Sequence, residues 1–267
     1  MSDRPQDLHE EVANSALHGA ALVGACLAVP QLLQSAHAAH PAALWGVLLF
    51  GATMALLYGA STLYHALPPG RAKQWALQLD HAAIHLFIAG SFTPFTLSAP
   101  GHRHHLTALV LVWLAALVGC WLQLRARRAA PWLSTALYVA MGWVALLAAL
   151  PLMAHVPAVS AAWLVIGGAA YTAGVVFFVM DAVVRYAHAV WHGCVIAGTG
   201  CHVIAVLSLQ TATQGLLTLI SGIALPGLGA ECKAPVRSKV GTLQARATPQ
   251  TAPRQGNPKG RSFATPK

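Results

Sequence analysis

Ala42-Ala43-Leu44-Trp45-Gly46-Val47-Leu48-Leu49-Phe50-Gly51-Ala52-Thr53-Met54-Ala55-Leu56-Leu57-Tyr58-Gly59-Ala60-Ser61-Thr62-Leu63-Tyr64 runs for 23 residues without a charge and stops at His65. A helix rises about 1.5 Å per residue, so this run is long enough to cross the roughly 30 Å hydrocarbon core of a bilayer. Its apolar residues are continuous instead of alternating in steps of two, which argues against a strand of a lipid-facing barrel. Six more runs of this kind read as Ala16–Gln34, Ala82–Ala99, Leu106–Leu124, Trp132–Met153, Val159–Met180 and Ala189–Leu209. The chain is 57% hydrophobic and 9% charged with a mean hydropathy of +0.60, whereas a soluble domain is roughly 25% charged. The sequence therefore predicts an all-α integral membrane protein. Its N-terminal segment covers residues 1–15 and its bundle of seven transmembrane helices residues 16–209.

Loop charges set the expected orientation. Arg4, Arg71, Lys73, Arg125, Arg127, Arg128 and Arg185 fall on one side of the seven runs, and only Arg103 falls on the other before the tail. The positive-inside rule makes the first side cytoplasmic, with the N-terminus inside. The same distribution explains the net charge of +9 without a nucleic-acid partner. Met1–Val12 carries Asp3, Asp7, Glu10 and Glu11 and lacks the basic start of a signal peptide, so the first run is expected to stay. Residues 210–230 are apolar but hold Gly215, Gly222, Gly227, Gly229 and Pro226, the pattern of a weak eighth apolar segment or an interfacial stretch. Residues 231–267 turn basic and rich in Pro, Thr and Gln, a composition that cannot bury enough surface to fold alone. Cys26, Cys120, Cys194 and Cys201 lie within apolar runs and only Cys232 outside, so no disulfide framework is expected.

The chemistry concentrates at the predicted inner ends of these runs. His188 and His192 are four residues apart and share a helix face, while His65 closes the second run and Asp80 precedes the third. With the orientation above, all four converge on the cytoplasmic third of the bundle, where ionisable groups are costly and mark a functional interior. Three imidazoles leave one position of a tetrahedral metal open, an arrangement that suits Zn2+ better than iron or manganese. Asp80 would act as general base or orient a ligand. Ser61, one turn before His65, would donate to an oxyanion or fix the water.

Other polar residues read as structural. His18, His81, His85 and His202 are expected to pack or to hydrogen-bond between helices. Asp181 and Arg185 are spaced for an ion pair. Gly167, Gly168 and Gly174 suggest close helix packing. His102, His104 and His105 flank Arg103 in what reads as an exposed turn.

Tyr58-Gly-Ala-Ser-Thr-Leu-Tyr-His65, Leu79-Asp80-His81 followed by Ile88-Ala-Gly-Ser-Phe-Thr-Pro-Phe95, Gly168-Ala-Ala-Tyr-Thr-Ala-Gly174 and His188-Ala-Val-Trp-His192 resemble, in order and spacing, the bacterial hemolysin III family. Glu11-x-x-Asn14-x-x-x-His18-Gly19 is similar to the start of that family's first helix. The family groups with the progestin and adiponectin receptors, in a superfamily that includes alkaline ceramidases. The resemblance implies seven helices in a bacterial inner membrane with a cytoplasmic N-terminus. It also implies a zinc on His65, His188 and His192, with Asp80 and Ser61 beside the metal water. A membrane lipid is the implied partner, as substrate of an amide or ester hydrolase. The alternatives are a pore-forming cytolysin and a receptor or membrane-homeostasis regulator whose zinc is structural. Bacterial members of that family end soon after the seventh span, whereas this chain continues for 58 residues past Leu209.

Overall fold

The computed structural model describes residues 6–37, 41–98, 103–125 and 131–224. Seven helices follow in order: α1 (Leu8–His37), α2 (Pro41–Ala66), α3 (Arg71–Ser98), α4 (Arg103–Arg125), α5 (Pro131–Met153), α6 (Ala158–Met180) and α7 (Ala187–Ala224). No strand occurs among the described residues. Five helices, α1, α2, α4, α6 and α7, contain stretches long and apolar enough to cross a membrane. Their outer faces are lined with exposed Leu, Val and Trp, such as Val110, Leu114, Leu117 and Trp121 on α4. So much exposed apolar surface is incompatible with a water-soluble monomer and fits a lipid-facing wall.

α3 does not reach the same hydropathy because it carries Arg71, Lys73, Asp80, His81 and His85. Its position accounts for this composition: α3 packs against α2, α4, α5 and α7, and its Asp80 and His85 are buried. Phe50, Met54, Leu57 and Tyr58 of α2 form the main core with Phe87 of α3 and Val195 and Val206 of α7. α2 and α3 meet at Gly46, where a Cβ would stand 2.9 Å from the Pro94 Cα. α6 and α7 interlock through glycines: a Cβ at Gly167 would meet the His202 ring at 2.6 Å, and one at Gly174 the Trp191 ring at 2.7 Å. Gly168 differs from the packing expectation, since nothing lies within 4 Å of its Cβ position.

The packing order runs α6, α7, α1, α2, α3 and then α4 with α5. α5 rests on α3 and α4, while α6 rests on α7, so α5 and α6 scarcely touch although they are adjacent in sequence. The chain opens there like an incomplete ring.

Three sequence expectations change. α1 begins at Leu8, eight residues before its apolar run, because Asp7 and Glu10 form a capping box: the Asp7 Oδ1 accepts from the Glu10 amide at 2.9 Å, and the Asp7 amide donates to the Glu10 carboxylate at 3.0 Å. Residues 210–224 continue α7, so among the described residues the stretch forms no separate eighth helix. His105 is helical and buried, with its ring against His155, where an exposed turn was expected. The expected disordered tail at 231–267, Cys232, His102, Arg4, Arg127 and Arg128 lie outside the described residues.

Candidate metal centre

Two helix ends bring the three histidines together. The last turn of α2 carries His65, and its outgoing carbonyls are satisfied by α3: the Lys73 ammonium donates to the carbonyls of Tyr64 at 2.9 Å and Leu67 at 3.2 Å. That cation at a helix C-terminus also complements the dipole and holds His65 in place. α7 starts after a non-helical turn at 181–186 that ends in Tyr186 with φ of 60°, a left-handed conformation uncommon for a residue with a side chain. The Tyr186 amide donates to the buried Glu10 carboxylate at 2.8 Å, which stabilises the turn and places a negative charge at the start of α7. His188 and His192 follow on the first two turns.

His65, His188 and His192 each offer a ring nitrogen, and these nitrogens lie within 4.8 Å of one another. The Nε2 atoms of His65 and His192 are 3.1 Å apart. Tetrahedral ligands at about 2.05 Å from a zinc-sized ion would be about 3.3 Å apart, so this spacing suits a shared cation. The tautomers agree with it. An ionised carboxylate can only accept, so the His65 Nδ1 donates to Glu11 Oε2 at 2.7 Å and the His188 Nδ1 donates to Asp181 Oδ2 at 3.2 Å. Each leaves its Nε2 lone pair free. His192 Nδ1 is buried without a partner, and its ring lies against His18, with centroids 3.6 Å apart. The donor set thus fits a metal ion, with carboxylates behind two of its three imidazoles.

Asp80 and Ser61 are both buried, with the Ser61 hydroxyl beside the Asp80 carboxyl. Asp80 lines a cavity of about 630 Å³ that is also bordered by His18, His188 and His192. The cavity extends along α3 from Asp80 to Phe95, about 22 Å at helical rise, and its wall is mostly apolar. Gly142, Trp143, Val176 and Val179 line it from α5 and α6, the two helices that scarcely touch. The gap between α5 and α6 is therefore its side mouth.

Among the residues read as structural, His81 Nδ1 accepts from the Gln123 side-chain amide at 3.2 Å, His85 packs on Tyr138, and His202 on Tyr171. Arg185 reaches Asp7 at 2.6 Å, and Asp181 holds His188, so the expected pairing along one helix gives way because residues 181–186 leave the helix. Asp7 is half-buried, and the amide of Glu10 first, then Arg185, hold its carboxyl below the ordinary range. Spacing arguments gave Glu11 and Asp181 no place at the centre. A signal was present in α1, where Glu10, Asn14 and His18 recur every four residues in an apolar setting and are all buried.

These features define a helical membrane protein with a buried three-histidine cluster at one end of its bundle. Residues 6–203 match the family described as "Haemolysin-III related". The chain is 33% identical over 204 residues to the "Hemolysin-3 homolog" of Bacillus subtilis (strain 168), covering 75% of this chain and 94% of that protein. It is 32% identical over 212 residues to "Hemolysin-3" of Bacillus cereus, covering 78% and 94%. The chain belongs to the haemolysin III family. No solved structure matches it.

Proposed function

We propose that the protein is a zinc-dependent hydrolase that cleaves an amide or ester bond of a membrane lipid. The observation that carries this reading is that His188 and His192 of the cluster border a long, mostly apolar cavity walled in part by α5 and α6, a shape and chemistry suited to an acyl chain. Zinc held by His65, His188 and His192 would supply Lewis acidity, polarising a carbonyl and making water acidic at neutral pH. Asp80, on the cavity wall, accepts the proton of the attacking water at a carboxylate oxygen. Ser61 beside it orients that carboxylate. The apolar wall binds the acyl chain and aligns its carbonyl with the buried end, while the surrounding helices keep bulk water out.

The reading includes seven spans, with α3 and α5 completing the set, and an N-terminus in the cytoplasm. Lys73 and Arg185 sit at the histidine end of the bundle, which supports placing that end inside. The test is reconstitution of the full chain in vesicles containing ceramide and phospholipid. Fatty acid should appear with wild type, and none with His188→Ala or Asp80→Asn. Zinc-loaded wild type that releases no product from any lipid offered would sink the reading.

A structural clamp is the second reading, because the cluster and its carboxylates tie α2 to α7 and α1. It predicts loss of stability without any turnover to lose. The relatives' names refer to haemolysis, and a pore would instead be revealed by conductance of pure bilayers holding the protein.

A further inference from the structure

We infer that Glu11 and Asp181 are positioning residues that set the metal affinity of the centre, and that the segment from Gln6 to Asn14 assembles this outer layer. The inference rests on the metal-centre reading above.

Each carboxylate is fixed before it meets its histidine. Glu11 bridges two groups, accepting from His65 Nδ1 at 2.7 Å on one oxygen and pairing with the Lys73 ammonium at 2.9 Å on the other. Lys73 is tied in turn to the carbonyls that end α2, the helix that carries His65. Asp181 accepts from His188 Nδ1 at 3.2 Å and from the Gln6 side-chain amide at 2.9 Å. Asn14 donates to the Gln6 carbonyl oxygen at 2.9 Å, so the first helix controls the residue that holds the Asp181 carboxylate. Arg185 to Asp7 and the Tyr186 amide to Glu10 fasten the same segment to the turn before α7.

The consequence concerns ring orientation. A metal takes the lone pair of one imidazole nitrogen, and a carboxylate on the other nitrogen fixes the tautomer, stops the ring from turning and makes the ligand more basic. Two of the three ligands here receive that help from residues that no part of the zinc-ligand spacing reveals. In Glu11→Gln the side chain keeps its size, but its amide nitrogen would face either the Lys73 ammonium or the His65 N–H, donor against donor. One contact must be lost. At Asp181 both donors, the Gln6 amide and the His188 Nδ1, share the Oδ2 atom, so Asp181→Asn can keep both contacts on its amide oxygen and removes only the negative charge that makes His188 more basic.

The experiment measures Zn2+ affinity of the purified full chain by competition with a chromophoric chelator, beside the thermal midpoint of the metal-free protein. Wild type should bind zinc, and Glu11→Gln and Asp181→Asn should each bind it about 10- to 100-fold more weakly, with metal-free midpoints close to wild type. Glu11 and Asp181 are both only partly buried and lie on different elements, so either variant keeps the test open if the other fails to fold. Variants that bind zinc as tightly as wild type would overturn the inference. So would a metal-free midpoint that falls in step with affinity, because the carboxylates would then merely join helices. Wild type that binds no zinc would overturn the metal-centre reading itself.

Discussion

His65 and His192, 127 residues apart in sequence, point their Nε2 atoms at each other across 3.1 Å. Since His65 gives its other nitrogen's proton to Glu11, its Nε2 faces His192 as a bare lone pair. Either a proton or a cation must lie between the rings. A bound cation ties α2 to α7, and that tie has measurable consequences.

The first is stabilisation by metal. At free Zn2+ 100-fold above Kd, binding should stabilise the fold by about 2.7 kcal/mol. A strong chelator should lower the wild-type Tm by several degrees and leave that of His192→Ala or His65→Ala unchanged. Equal chelator sensitivity in all three proteins would remove the metal from the histidines.

Asp80 separates chemistry from binding. Asp80→Asn should keep zinc content near wild type while turnover of a lipid substrate falls by about 10²- to 10⁴-fold, the usual size of a lost proton acceptor. Ser61→Ala should have a smaller effect of the same kind. Equal zinc and turnover in Asp80→Asn and wild type would exclude Asp80 as the base.

The side mouth can be closed without touching the centre. Nothing lies within 4 Å of a Cβ at Gly142, so a large side chain there would project into open space at the cavity edge. Gly142→Phe should lower turnover in vesicles and leave zinc affinity unchanged. Unaltered turnover would mean that ligands reach the cavity by another route.

Two adjacent glycines should respond in opposite senses. Gly167→Ala drives a Cβ into the His202 ring and should destabilise by about 1–3 kcal/mol, the usual effect of overpacking. Gly168→Ala meets nothing and should stabilise by up to about 1 kcal/mol through helix propensity. Thermal unfolding in detergent compares them directly, and similar midpoints would contradict the α6–α7 packing.

Acid should loosen the N-terminal segment. The folded state holds the Asp7 carboxyl below its ordinary range, so Asp7 contributes stability that is complete above the unfolded value and fades as the pH falls through the folded one. Protease cleavage near Gln6 should therefore rise at roughly pH 3 relative to neutral pH in wild type. In Asp7→Asn it should already be raised at neutral pH.

Apolar run length was enough to locate the seven helices among the described residues, five of which are long and apolar enough to cross a membrane. Helix ends were harder to place. Glu10 and Glu11 look like a solvated leader until Asp7 caps α1 and their carboxylates meet Tyr186 and His65. The approach of His65 to the His188/His192 pair was legible from loop charge and four-residue spacing. What could not be read was the outer layer, since Asp181 looks like the partner of Arg185 for as long as residues 181–186 are taken as helix. Gly167 and Gly168 are likewise identical in sequence character, and only the direction in which each faces α7 tells them apart.

The divergence of α5 from α6 gives the cavity a slot in the wall of the bundle. On the lipid-hydrolase proposal, a ligand drawn through that slot would never have to dissolve in water, so its supply would be a surface density. Occupancy would then follow mole fraction in the bilayer, fall on dilution with inert lipid at constant bulk concentration, and respond to anything that enriches a lipid around the protein.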